Sequence, residues 1–291
     1  MLEIREFRNA LMDNLKENLG EKYQIQDYDA MKLNHVEQLG ISVTLENASI
    51  APIIYVESMF EDYLKGKPLS ELAEQCLILV KNSAGSDIQD IEISKITDWE
   101  KVKGEIKMKL INTKRNKKFL ENLPSYSFLN LSLIFYLELK ETADGIATTM
   151  VNTKLIQHFD VDLDTLYLQA CSNMAGEYTI RSLSSVLGME DDNGLFVLSN
   201  LQCINGATEI VLEETKEALV QRFNHRDLFI LPSSLHELIL LPVNEEFSAE
   251  NLLKMVQEIN STEVDEKDFL ADTVYRFHAA TKEITIAAQG E

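Results

Sequence analysis

The segment LFILPSSLHELILLPV, residues 228–243, carries the most suggestive reactive groups of the chain. Ser233, Ser234, His236 and Glu237 fall within five residues, at the end of an apolar run with strand character. A hydroxyl beside an imidazole is the pairing that makes serine nucleophilic, because the ring takes the proton as the oxygen attacks. The strained G-x-S-x-G elbow that exposes a nucleophile at a strand end surrounds neither serine. Ser234 and Glu237 also have the spacing of a helix capping box, a purely local use of the same groups. The expectation is therefore a scaffold that joins two strands, with its polar groups consumed locally. Ser233, Ser234, His236 and Glu237 remain the catalytic candidates of an alternative, hydrolase-type reading.

A second concentration is basic. Lys101, Lys103, Lys107, Lys109, Lys114, Arg115, Lys117 and Lys118 lie within eighteen positions. The simplest use is a solvated face, partly paired with acids of the same molecule. Lys114, Arg115, Lys117 and Lys118 are the candidates for anion binding. Phe119 is the one aromatic close by, which disfavours stacking on single-stranded bases. Asp160, Asp162 and Asp164 alternate like the first ligands of a calcium loop. The pattern then fails, with Thr165 and Cys171 where glycine and glutamate belong. Helix capping accounts for these acids better, and GMEDDNG (188–194) reads as an acidic surface turn. His35, His158, His225, His236 and His278 are dispersed, with no H-E-x-x-H and no glycine-rich phosphate loop. No metal and no cofactor are expected. Cys76, Cys171 and Cys203 form no CxxC pair, which suits a reducing, cytoplasmic setting.

Around these groups the elements alternate. Ile4, Phe7, Leu11 and Leu15 make one helical stripe in a charged amphipathic segment that does not read as a signal peptide. LGISVTL and APIIYVE read as antiparallel strands about a turn at ENAS, and 57–64 as a short helix stopped by Gly66 and Pro68. A helix follows with Leu69, Leu72, Ala73, Cys76, Leu77 and Val80 on one face, making Cys76 a core residue. NSAGSD (82–87) is a loop, and Thr97 with Glu100 opens a short helix. Ile106, Met108 and Leu110 alternate with Lys107 and Lys109, a strand with one wet face. TKRNKKFLENLP reads as a basic helix. SFLNLSLIFYLEL (127–139) reads as a central strand buried on both faces, followed by a turn at ETADG and a returning strand. Helices are expected over 152–158, 162–174, 207–223 and 248–259. Strands are expected at LFVLSN, DLFILP, ELILLPV and, as a closing hairpin, DTVYRF with KEITIAA. The stripe of residues 69–80 recurs at 163–174, an offset of 94, and suggests a duplicated β-β-α-α unit.

The chain has 291 residues and a net charge of −21. That sign disfavours direct nucleic-acid or membrane binding and admits a basic protein partner, or mimicry of nucleic acid by an acidic inhibitor. No apolar run is long enough to span a bilayer.

The blocks KLINTKRNKKFLENLP, SFLNLSLIFYLEL, LFVLSN with NGA at 205–207, LFILPSSLHELILLPV and FLADTVYRF resemble those of a bacterial domain-of-unknown-function family, numbered 5688 and frequent in clostridial gut Firmicutes. The resemblance implies a bacterial cytoplasmic protein of the kind carried on mobile elements, and transfers no activity and no site residue. The expected architecture is α+β, with mainly antiparallel sheets and packed helices. Two lobes, 1–113 and 127–291, meet at a basic connecting helix, 114–126. The expected function is a non-enzymatic protein-interaction or regulatory role, with oligomeric state open.

Overall fold

The stripe that opens the chain forms α1 (Ile4–Leu19), with Phe7, Leu11 and Leu15 fully buried. The computed structural model describes residues 1–31, 33–45, 53–84, 96–142, 145–188 and 194–290. The turn at ENAS, the loop beyond Ala84, the tip of ETADG and most of GMEDDNG lie outside the described residues. The architecture is α+β, and the chain divides into two units, Met1–Asp98 and Trp99–Glu291.

In the first unit, β1 (Tyr23–Met31), β2 (Glu37–Leu45) and β3 (Ile53–Tyr55) form an antiparallel sheet with β2 central. It is followed by α2 (Glu57–Leu64) and α3 (Leu69–Ala84). Ile41, Val43 and Val56 join Leu72, Cys76 and Val80 of α3 in one core with α1. Cys76 is fully buried, and burial pushes its thiol up to about 11, so it packs as a small hydrophobe.

The second unit opens with α4 (Trp99–Val102) and β4 (Ile106–Asn112). After a one-turn α5 (Lys117–Leu120) come β5 (Ser125–Phe128), β6 (Leu131–Thr142) and β7 (Gly145–Met150), then α6 (Thr153–Phe159) and α7 (Leu163–Met174). Asp162 caps α7, its carboxylate accepting from the Thr165 amide. β6 is the buried central strand, but the apolar run 127–139 is split. Leu129, at φ 56°, turns the chain so that Ser127 and Phe128 belong to β5 and pair back onto β6.

A six-stranded antiparallel sheet completes this unit. It uses β8 (Tyr178–Ser182), β9 (Phe196–Asn200), β10 (Leu228–Pro232), β11 (Leu238–Pro242), β12 (Thr273–His278) and β13 (Glu283–Gln289). The strand order is β13-β12-β10-β11-β9-β8, with β12 and β13 as the expected closing hairpin. Between strands lie α8 (Leu183–Leu187), a 3-10 segment Gly206–Val211, α9 (Glu213–Arg222) and α10 (Ala249–Thr262). α10 packs on β10, β12 and β13.

Three expectations need correction. The chain divides at 98/99, not 113/114, because β4 pairs along its whole length with β6 and so belongs to the second unit. Residues 114–126 are not a connecting helix. Asn112 Oδ1 accepts from the Arg115 amide and Asn116 Nδ2 donates to the Asn112 carbonyl, so side chains compete with the helical ladder and leave one turn. Finally, β4 has no wet face at Lys107, which is only 8% exposed.

The series β2-β3-α2-α3 does recur as β6-β7-α6-α7. Leu72, Cys76 and Val80 fall 94 residues before Leu166, Ala170 and Met174, all buried. The pairing differs. β2 stands between β1 and β3, whereas β5 and β7 share the edge of β6 opposite β4. Shifting Gly40↔Tyr55 by 94 would pair Ile134 with Thr149, yet Thr149 pairs with Leu137. Element order and helix burial repeat; strand order and register do not.

Candidate functional site

The LPSSLHE segment is the turn of the β10–β11 hairpin, and no helix begins there. The amides of Ser233 and Ser234 both donate to the Glu237 carbonyl, at 3.4 and 3.3 Å. Ser233 Oγ donates to Glu237 Oε1 at 3.3 Å, and Ser234 Oγ accepts from the His236 amide at 3.0 Å. The His236 ring meets neither hydroxyl. Its Nδ1 accepts from the Asn205 amide at 3.1 Å, which places the ring proton on Nε2, 3.3 Å from Asp268 Oδ1. Serine and imidazole thus lie within five residues but serve different partners.

What the imidazole does is join loops. Asn205 sits at φ 55°, a left-handed conformation that asparagine tolerates. Ala207 donates its amide to the Leu235 carbonyl, Ser199 Oγ donates to the His236 carbonyl, and the Leu235 amide donates to the Asp268 carbonyl. Asn112 Nδ2 donates to the Leu270 carbonyl, and the Leu110 amide donates to Thr208 Oγ1. The NGA, LPSSLHE and FLAD blocks, far apart in sequence, therefore close one polar knot between the two sheets of the second unit. Gly206 lies at its centre. A Cβ there would strike Ser199 Oγ and come within 2.6 Å of both the Asn200 nitrogen and the His236 carbonyl. Backbone atoms on both sides cannot yield cheaply. Gly206→Ala is expected to lose about 3 kcal/mol of stability by urea denaturation, the upper range for overpacking; a loss below about 0.5 kcal/mol would show the knot to be pliable.

A buried charged cluster adjoins the knot through Asn205, which also hydrogen-bonds Tyr136. Burial pushes the Tyr136 phenol up to about 12. Lys107 Nζ donates to both Glu177 oxygens, at 3.1 and 2.9 Å, and lies 3.5 Å from Glu138 Oε2. Burial pulls the ammonium down, but the Glu177 hydrogen bond and the Glu138 charge outweigh it, and its pKa ends raised. Burial likewise raises Glu138. Glu209 is fully buried in the 3-10 segment, and neither carboxylate oxygen has a hydrogen-bond partner among the described residues. Burial, reinforced by the Glu177 and Glu214 charges, pushes it up to about 8. Sequence reading missed this group, since one glutamate in NGATEIV carries no periodic signal. Among the described residues, no three His, Cys, Asp or Glu side chains could together hold a metal ion, and no helix is long and apolar enough to cross a membrane.

Of the basic candidates, Lys114, Lys117 and Lys118 are exposed and make no ion pair among the described residues. Arg115 differs. It is half-buried, stacked on Phe269 and 3.8 Å from Glu266.

An apolar concavity of the second unit lies elsewhere, beside α10. A cavity of about 370 Å³ is bounded by Leu183, Leu195, β10, β11, Phe247 and α10. Among the described residues, Ser233 is the one polar residue in its lining. Phe247, Met255 and Ile259, which line it, are 37, 48 and 46% exposed. Leu252 and Val256 of α10 form its floor with the core beneath β10.

Comparison with known proteins finds one family model that matches, over residues 4–279, and its description is a family of unknown function. No curated protein and no solved structure matches.

Proposed function

The chain belongs to the family of unknown function DUF5688, a membership that carries no activity, and we propose from its own geometry that it is a protein-interaction module. The groove beside α10 receives the apolar face of a basic amphipathic segment of a partner protein. The observation that carries this reading is the exposure of Phe247, Met255 and Ile259 around a cavity whose described lining is apolar but for Ser233. Contiguous apolar surface of this kind marks binding sites in water-soluble folds. Charge selects the occupant. Residues 244–263 hold Glu245, Glu246, Glu250, Glu258 and Glu263 against Lys254 alone, so lysine or arginine flanking the inserted side chains would be attracted. Two leucines buried in the groove contribute about 3–6 kcal/mol before the entropy of association is counted.

The test is fluorescence anisotropy with two labelled model helices, one of leucine and lysine and one of leucine and glutamate. The lysine peptide is expected to bind. The neutral pair Met255→Gln with Ile259→Asn should weaken it about tenfold, equivalent to about 1.4 kcal/mol, with the thermal midpoint held as a control. Equal binding of the glutamate peptide, or an undiminished affinity in the variant, defeats the proposal, because either result means that charge or general stickiness is being measured.

A further inference from the structure

On the other flank of α10, Arg115 enters a second cavity, of about 280 Å³, with Phe269, Glu266, Asp272, Asn260 and Gln257 in its wall. The arginine is held in place from two directions. Its amide donates to Asn112 Oδ1 at 2.8 Å, and Asn112 Nδ2 donates at 2.9 Å to the carbonyl of Leu270, next to Phe269. The guanidinium carbon lies 3.7 Å from the centroid of the Phe269 ring, itself buried. Stacking therefore covers one face of the cation and fixes its plane. The pair with Glu266, at 3.8 Å, is longer than a hydrogen bond, and no guanidinium N–H donates a hydrogen bond among the described residues.

The opposite charge is fixed as firmly. Asn260 is buried, and its Nδ2 donates to the Ala271 carbonyl at 3.2 Å and to Asp272 Oδ1 at 2.8 Å. Asp272 Oδ2 accepts no hydrogen bond among the described residues. The cavity thus presents an oriented guanidinium that donates no hydrogen bond, and an oriented carboxylate with one oxygen that accepts none, among the described residues. A simple dianion such as phosphate would be opposed by Asp272 and Glu266, and a simple cation by Arg115. The charges are satisfied together by a small ligand that carries a carboxylate and an ammonium a few bonds apart.

We propose that this cavity binds a free α-amino acid, its carboxylate taken by Arg115 and its ammonium by Asp272. The guanidinium offers the two parallel N–H groups that a carboxylate matches. The site is separate from the apolar groove, and neither proposal depends on the other.

The full chain is titrated by calorimetry and by thermal shift with the free L-amino acids, their amides, their N-acetyl derivatives and inorganic phosphate. At least one free amino acid is expected to bind saturably and raise the unfolding midpoint. The amide, which lacks the carboxylate, and the N-acetyl form, which lacks the ammonium, should each bind at least about tenfold more weakly. Arg115→Lys, which keeps the charge but loses the planar fork, should weaken binding by a similar factor. Asp272→Asn should do the same while the contact to Asn260 is kept. Should Arg115→Lys fail to fold, the exposed Glu266→Gln and Asp272→Asn carry the comparison. Absence of binding by every free amino acid overturns the assignment. Equal affinity for blocked forms or phosphate does so too, as does an affinity indifferent to Asp272→Asn.

Discussion

Lys107→Met is expected to destabilise the protein by about 3–5 kcal/mol at neutral pH, although the new side chain is apolar and close in length. Lys107 is the cation set between the buried or half-buried carboxylates of Glu138 and Glu177. An ion pair of this kind adds little over a well-packed apolar replacement of all its members, because bringing the charges out of water offsets their attraction. Removing one member alone is different. Glu138 and Glu177 would remain in poorly solvated positions with no counter-charge, beside Glu209. Two consequences separate this account from a loss of packing. The variant should recover part of its stability on acidification to about pH 5, because burial already raises the Glu138 carboxyl and favours its taking up a proton. Adding Glu177→Gln to Lys107→Met should restore more than it removes. Urea denaturation of the single and double variants at two pH values measures both. A single-variant loss below about 1 kcal/mol, or an additive double variant, would contradict a coupled cluster.

The second large effect is a dependence on pH centred on Glu209. Its carboxyl stands at about 8 in the fold against 4.5 for the free side chain. The folded state therefore holds a proton that the unfolded state releases. Its contribution is complete below about pH 4.5, where both states are protonated, and is lost as pH climbs through about 8. Integrated over that window the loss is on the order of 4 kcal/mol. Glu209→Gln replaces the protonated acid with a neutral group of the same shape. The variant should match the parent near pH 5 and exceed it by about 2 kcal/mol or more near pH 8.5, read from urea midpoints at constant slope. Parallel decline of both proteins would place the titrating group elsewhere. Acids remote from Glu209 are common to both proteins and cancel in the comparison, so the difference reports on Glu209 and the charges around it.

Much of the framework could be read from the residues in order. α1, α3, α7, the β10–β11 hairpin and the β12–β13 hairpin all announce themselves by apolar spacing and turn residues, because one buried face leaves a local period of 3.6 or 2. The burial of Cys76 followed from its place in such a stripe. The errors share a cause. Leu129, in a run of apolar residues, takes a left-handed turn that no glycine marks. Asn112 and Asn116 convert an apparent helix into a turn by bonding backbone groups.

Position and charge type along the chain were enough to establish which faces are apolar and that LPSSLHE joins two strands. They could not establish that Lys107 leaves solvent, that Glu209 is buried with it, or that Arg115 lies stacked on the Phe269 ring. Those outcomes depend on partners 70 residues or more distant: Glu177 for Lys107, and Phe269 for Arg115. A local pattern records how a side chain relates to its own helix or strand. Whether a charge meets water, an opposite charge or an aromatic face is determined by long-range packing, and that packing has no period along the chain.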